Sequence, residues 1–142
     1  MLYRCAILDD YQNVALKLAD WSQLGDKVEI KVFNEHLGSL DNVIGVLGGY
    51  HIVCLMRERT PFPRRAFEAL APHLKLLITT GARNASVDLA AAKEHNVVVC
   101  GTPSVGNPTA GIAFGLMLEL TRRIGFENAR MKAGSVLPSG GV

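Results

Sequence analysis

Lys75-Leu76-Leu77-Ile78-Thr79-Thr80-Gly81-Ala82-Arg83-Asn84-Ala85-Ser86-Val87-Asp88 is followed, after a short alanine-rich segment, by Val97-Val98-Val99-Cys100-Gly101-Thr102-Pro103-Ser104-Val105-Gly106-Asn107. Two apolar runs each end abruptly in a glycine-containing polar loop, and a helical pattern begins soon after each. In an open parallel sheet, ligands bind outside the carboxyl ends of the strands, where these two loops would lie. The stretch therefore proposes both a fold and the place to look for a site.

Working outward, the same alternation continues. Residues 2–8 read as a buried strand ending in Asp9-Asp10. Val14 to Leu24 carries apolar residues at helical spacing, with Gly25 as its C-cap. Val28 to Phe33 alternates Val28, Ile30 and Val32 with charged residues, as expected of a half-buried strand near a sheet edge. Ser39 is placed to cap a helix through Leu47, with Gly48-Gly49 ending it. His51 to Met56 is a third strand, and Pro61 and Pro63 start a helix that turns Phe67 and Leu70 inward and stops before Pro72. Lys75 to Thr79 is the fourth strand, Asp88 to His95 a helix, and Val97 to Cys100 the fifth strand. A long helix is expected from Thr109 to about Ala129.

Five strands alternating with helices across short connections select a parallel sheet with helices on both faces. Right-handed crossovers reduce the possible orders to a few, and the flavodoxin-like three-layer α/β order 2-1-3-4-5 is the one expected, with the long C-terminal helix added to it. Residues 1–130 form the domain, and 131–142, ending in Pro138-Ser139-Gly140-Gly141-Val142, read as a tail. The last helix sets a problem, because Ile112, Phe114, Leu116, Met117, Leu118 and Leu120 wrap nearly all round it. A helix apolar on every side must be buried on every side, and these residues supply only one layer for it. Self-association through this helix follows as an expectation.

Composition bounds the function. The chain has 142 residues, 49% hydrophobic and 20% charged, with a net charge of +2. That is enough for one domain with a real core, and the near-neutral charge gives no support for a nucleic-acid partner. The apolar run at the N-terminus is too short for a signal peptide. The longest run, Ala110 to Leu118, is far below a membrane span, so a cytoplasmic protein is expected. Cys5, Cys54 and Cys100 fall one per strand and suit buried free thiols rather than a disulfide framework or a metal site.

Three chemistries common to this fold fail on residue type. Gly101 to Thr109 has the frame of a phosphate loop, but Asn107 and Pro108 stand where lysine and the magnesium-binding hydroxyl belong. Asp9-Asp10 and Thr79-Thr80 resemble parts of a receiver domain, yet Met56-Arg57 occupies the place of its nucleophilic aspartate. No G-x-G-x-x-G occurs, so the domain has no pyrophosphate cradle of its own. No G-x-S-x-G is present. His36, His51, His73 and His95 are scattered over different elements as surface or helix-end residues.

Two features survive. Arg57 leaves the third strand, and Gly81-Ala82-Arg83-Asn84 leaves the fourth. Consecutive backbone N–H groups in a glycine-containing turn make an anion-binding concavity, and an arginine facing it can hold a small carboxylate. Against this stands an ordinary turn beside a solvated arginine.

These motifs together resemble the substrate-binding domain of the NAD-dependent D-2-hydroxyacid dehydrogenases, the phosphoglycerate and formate dehydrogenase family. The resemblance runs through Met56-Arg57-Glu58-Arg59-Thr60-Pro61, Thr80 to Ala92, Val97 to Pro103, Thr109-Ala110 at the start of the long helix, and Arg122-Arg123 towards its end. It implies that the amides of Ala82, Arg83 and Asn84 bind a substrate carboxylate with Arg57 facing it. It also implies that Ala82 and Thr109 approach the nicotinamide of NAD. The family's Rossmann domain, catalytic arginine, glutamate and general-base histidine come later in the chain than any residue here. The expectation is therefore the substrate-binding part of such an enzyme, a truncated product or fragment inactive alone. The competing expectation is a non-catalytic oligomerisation module using helix 109–129. Two departures from the family pattern are Arg83, where a second glycine is usual, and Ala110-Gly111, where a small residue and Glu are usual. The first bears on substrate identity and the second on the interdomain contact.

Overall fold

The computed structural model describes residues 2–103, 106 and 108–134. The chain forms two compact units, Met1–Ser104 and Val105–Val142.

The first unit is a five-stranded, all-parallel sheet of order β2-β1-β3-β4-β5, the order expected. Its strands are β1 (Tyr3–Ile7), β2 (Val28–Val32), β3 (Ile52–Leu55), β4 (Leu76–Thr79) and β5 (Val98–Gly101). The helices α1 (Leu40–Leu47), α2 (Arg64–Leu70) and α3 (Leu89–Glu94) connect β2 through β5. Those three crossovers all step the same way across the sheet. Right-handedness therefore puts their helices on one face. Ala6, Val53 and Leu77, each 0% exposed, meet Phe67 and Ala91 of those helices in a single core. Phe62 lies edge-on to Phe67 with ring centroids 5.6 Å apart.

Local chemistry explains the helix boundaries. Ser39 accepts from the Asn42 amide at the start of α1 and Asp88 from the Ala91 amide at the start of α3, each satisfying one orphan donor. Pro63 is the N-cap of α2. Pro61 stands outside that helix, before Phe62, which bridges in parallel to Val87.

The β1–β2 connection steps the opposite way and crosses the other face. The helix expected over Val14 to Leu24 does not form there. Two 3-10 segments, Ala15–Lys17 and Trp21–Lys27, take its place. Val14 has no capping side chain, while Asp20 accepts from the Ser22 amide and hydroxyl and so turns the chain midway. Short polar side chains compete with helix in this manner. Gly25, with φ +54, lies within the second segment rather than at a C-cap. These segments border a hollow of about 620 Å³ against Ile7, Ile52, Leu76 and Ile78.

Of the three cysteines, Cys5 is buried, Cys54 half-buried and Cys100 exposed. The expectation of uniformly buried thiols is therefore corrected at β5, an edge strand whose other-face residues lack cover within this unit.

In the second unit the single long helix becomes two, α4 (Pro108–Arg122) and α5 (Ile124–Lys132). Arg123 between them is left-handed (φ 52), and the Glu119 carboxylate accepts from the Gly125 amide at 2.8 Å. That bond caps the second helix and closes the first. Ile112 is 66% exposed and Leu120 81%. The expected tail begins inside α5, and its remainder, residues 135–142, lies outside the described residues. Asn107 of the glycine frame also lies outside them. No helix among the described residues is long and apolar enough to cross a membrane.

Candidate functional site

The residues singled out after β3 and β4 are brought together, and the means is a set of hydrogen bonds between their loops. Arg57 follows β3 with a left-handed backbone, φ 55, a costly conformation for a residue with a side chain. Its N–H donates to Thr80 Oγ1 at 3.0 Å, and its carbonyl accepts from Asn84 Nδ2 at 2.6 Å. Asn84 Nδ2 also donates to Thr79 Oγ1 at 2.9 Å, while its Oδ1 accepts from the Ser86 amide and hydroxyl. A third tie runs through Phe62, whose N–H donates to the Ser86 carbonyl and whose carbonyl accepts from the Asp88 amide. The strained Arg57 backbone is thus held from both sides.

Gly81 is the hinge of the second loop. Its φ is +101, and a β-carbon there would stand 2.9 Å from Arg57 Nη1. The Arg57 guanidinium therefore lies directly against the glycine. Behind the turn, Gly101 approaches so closely that a β-carbon would stand 2.7 Å from the Gly81 carbonyl oxygen. The Gly81 N–H donates to Thr102 Oγ1 at 2.9 Å, so this amide, one of the expected binding groups, is already spent. The amides of Ala82, Arg83 and Asn84 donate to no other group among the described residues. Residues Ala82, Arg83 and Asn84 line a cleft of about 420 Å³ whose apolar wall is Val87, Leu89 and Val99.

Arg57 does not line that cleft. It meets the turn at Gly81 instead, 61% exposed, with Glu58 its loosely held partner at 3.9 Å. Arg83 is exposed. Thr109 belongs to the first turn of α4 in the second unit, exposed to solvent.

Sequence reasoning passed over two participants. Thr102 belongs to the Val97 to Pro103 run, with no role expected of its side chain, yet its hydroxyl accepts from the Gly81 amide and fixes the turn. His36 was set aside as a surface histidine, yet its Nδ1 lies 3.0 Å from Asp9 Oδ1. The Asp9-Asp10 pair is buried and occupied. Asp9 accepts from Thr60 Oγ1 at 2.6 Å, and Asp10 takes the amides of Val14 and Ala15. Neither is left for a receiver-type metal, and among the described residues no cluster of His, Cys, Asp and Glu could hold one.

The dinucleotide fit is poor on the same grounds. A pyrophosphate needs free amides at a helix N-terminus beside a glycine turn. In this unit Asp88 already caps α3 with a carboxylate, Ser39 caps α1, and α2 begins at a proline.

Loops at the carboxyl ends of β3 and β4 present an arginine and a row of amides without partners among the described residues, on an α/β domain with a parallel sheet. The family model described as D-isomer specific 2-hydroxyacid dehydrogenase, catalytic domain, matches residues 5–111, and the chain belongs to that family. A solved phosphoglycerate oxidoreductase from Vibrio cholerae is similar over 99% of this chain and 44% of its own, at 28% identity and a TM-score of 0.77. A putative D-3-phosphoglycerate dehydrogenase from Ralstonia solanacearum is 32% identical over 97% of this chain and 41% of its own, with a TM-score of 0.76. The D-lactate dehydrogenase of Escherichia coli, at 24% identity and a TM-score of 0.65, shares the fold. The chain spans less than half the length of each. A comparison with curated protein sequences gives no match.

Proposed function

We propose that this chain is the acid-holding part of an NAD-dependent D-2-hydroxyacid dehydrogenase, binding a small 2-hydroxy or 2-oxo carboxylate. The observation that carries the reading is the row of amides at Ala82, Arg83 and Asn84 without partners among the described residues, in a turn locked to Arg57. Two carboxylate oxygens match neighbouring N–H donors, and charge-assisted bonds of this kind are the strong ones. Arg57 adds positive charge at Gly81 and draws the acid towards the turn. The apolar wall of Val87 and Val99 would face the carbon chain of the acid and keep water from it.

NAD comes with the family resemblance, with Ala82 and Thr109 as its expected contacts here. The described residues do not cradle it, and no acid–base pair is among those that line the cleft. Hydride transfer is therefore assigned to groups outside these residues, and this chain alone is expected to bind without turning over. The reading predicts that 2-oxobutyrate shifts the amide signals of Ala82, Arg83 and Asn84 in an NMR titration, and that Arg57→Ala weakens this about tenfold. Mixing the pure chain with NADH and 2-oxo acids should give no turnover. Oxidation of NADH at ordinary enzyme rates would sink the reading.

A second reading, a non-catalytic module that associates with its own kind, is favoured by α4. Phe114 is 60% exposed and Leu116 58%, a concentration of apolar surface that marks an interaction site. Light scattering tests it. A concentration-independent monomer would remove it.

A further inference from the structure

We propose that a second pocket, at the carboxyl ends of β1, β2 and β3, is an oxyanion site that takes a carboxylate or phosphate between His36 and Arg59. The pocket encloses about 300 Å³ and is lined by Asp9 and Tyr11 after β1, Asn34 and His36 after β2, and Arg59 after β3. Its place is the switch point of the sheet. From β1 the chain leaves to one side for β2, then crosses back to β3 on the other, and open α/β sheets bind ligands at such a crevice.

The pocket is built rather than incidental. Asp9 is 4% exposed with φ +58, and it is held by Thr60 and His36 together. With Nδ1 turned to Asp9, the histidine has Nε2 left for a ligand. Arg59 lies with its Cζ 4.2 Å from the centre of the Tyr11 ring. Stacking leaves the guanidinium edge open for paired bonds to an oxyanion.

The neighbouring acids do not cancel this charge. Asp10 is spent on the amides of Val14 and Ala15, and Glu58 faces Arg57. Glu35 lines the adjoining groove rather than this pocket. Arg59 has no carboxylate within ion-pair distance among the described residues. One cation is therefore left over among the described residues, beside the His36 ring.

The anion has two possible sources. It can be free in solution, or it can be the far end of an acid whose carboxylate sits at Ala82 to Asn84. Strands β1 and β4 are two places apart in the sheet, roughly 10 Å, within reach of a five-carbon diacid. The site stands on its own geometry and does not depend on an acid binding at the Gly81 turn.

The test is NMR on the whole chain, following the His36 ring, the Arg59 side chain and the Ala82 to Asn84 amides. Inorganic phosphate should shift His36 and Arg59. Arg59→Ala and His36→Gln should each weaken that response about tenfold, with Arg59→Lys keeping part of it. If 2-oxoglutarate moves both regions while 2-oxobutyrate moves only the Gly81 turn, the anion arrives on the substrate. If phosphate alone moves His36 and Arg59, it arrives free. The proposal is overturned if phosphate and 2-oxoglutarate both leave His36 and Arg59 unmoved. It is equally overturned if the shifts survive in Arg59→Ala and His36→Gln. Neither result touches the Gly81 turn, whose own response to 2-oxobutyrate decides the reading given under the proposed function.

Discussion

The guanidinium of Arg57 lies against the α-carbon of Gly81, so close that a β-carbon there would stand 2.9 Å from Arg57 Nη1. Gly81→Ala must therefore displace the arginine, and it must also force a side chain to adopt φ +101. We expect about 1–3 kcal/mol of lost stability from the backbone strain, and loss of acid binding beyond that. Chemical denaturation and a 2-oxobutyrate titration of the variant measure the two effects separately. Gly101→Ala should be the harsher change. Its β-carbon would meet the carbonyl oxygens of Gly81 at 2.7 Å and Ala82 at 3.1 Å, and backbone cannot swing aside as an arginine can.

Asn84 acts twice. Its backbone amide belongs to the free row, while its side chain fastens the Arg57 carbonyl to Thr79 and Ser86. Asn84→Ala should cost about 1–2 kcal/mol, because Thr79, 2% exposed, loses a donor that water cannot replace there. Binding should weaken as well, since the left-handed Arg57 is released. Equal binding by a destabilised Asn84→Ala chain would show that the clasp does not set the site.

What could be read from the residues divides along a physical line. Strand order was legible because period-two patterns and right-handed crossovers leave few alternatives. The turn at Gly81 was legible because glycine marks positive φ. The partner of the Gly81 amide was not, since nothing in the run around Thr102 says that its hydroxyl crosses to the neighbouring loop. The Asp9–His36 contact spans 27 positions and joins residues that look unremarkable one at a time. The failed helix at Val14 to Leu24 has a local cause. Its apolar spacing was helical, but Asp20 turned the chain by taking the Ser22 amide. Capping won over periodicity.

Apolar exposure on α4 leads to a prediction about assembly. Leu120, 81% exposed, and Ile112, 66% exposed, gain nothing by facing water. Leu120→Glu with Ile112→Glu should lower the apparent mass in light scattering towards that of the single chain, with the circular dichroism of the sheet unit preserved. A wild-type chain already monomeric at high concentration would leave that change with nothing to act on, and would count against association through α4.

The Arg64–Glu94 pair joins α2 to α3, with Arg64 Nη2 donating to Glu94 Oε1 at 3.1 Å. Bonding to the guanidinium holds the Glu94 carboxyl below its ordinary range. A depressed carboxyl stabilises the fold when ionised, so the contribution is complete above the ordinary glutamate range and is lost as pH falls through the lowered folded value. The pair is exposed, and the effect should be small. Arg64→Ala should shift the acid-unfolding midpoint slightly upward, measured by tryptophan fluorescence of Trp21. A downward shift would contradict the linkage.

The three thiols should behave differently under oxidation and alkylation. Cys5 and Cys54 bring their sulfurs to 4.0 Å, which looks like a disulfide in waiting. The register says otherwise. Cys5 is level with Ile52, and Cys54 with Ile7, so the two cysteines are offset by two residues on adjacent strands. That puts their α-carbons about 8 Å apart, beyond what a disulfide spans without moving the sheet. Donation of its S–H to Cys5, together with burial, also pushes the Cys54 thiol well above its ordinary value, and a thiol that keeps its proton is a poor nucleophile. Cys100 is exposed on an edge strand. We therefore expect iodoacetamide at pH 8 to add a single label, found at Cys100 by mass spectrometry. A mild oxidant should give chains joined through Cys100, absent in Cys100→Ser. An oxidised single chain two hydrogens lighter, with the bond mapped between Cys5 and Cys54, would mean that β1 and β3 can slide, and the sheet would be less rigid than its register implies.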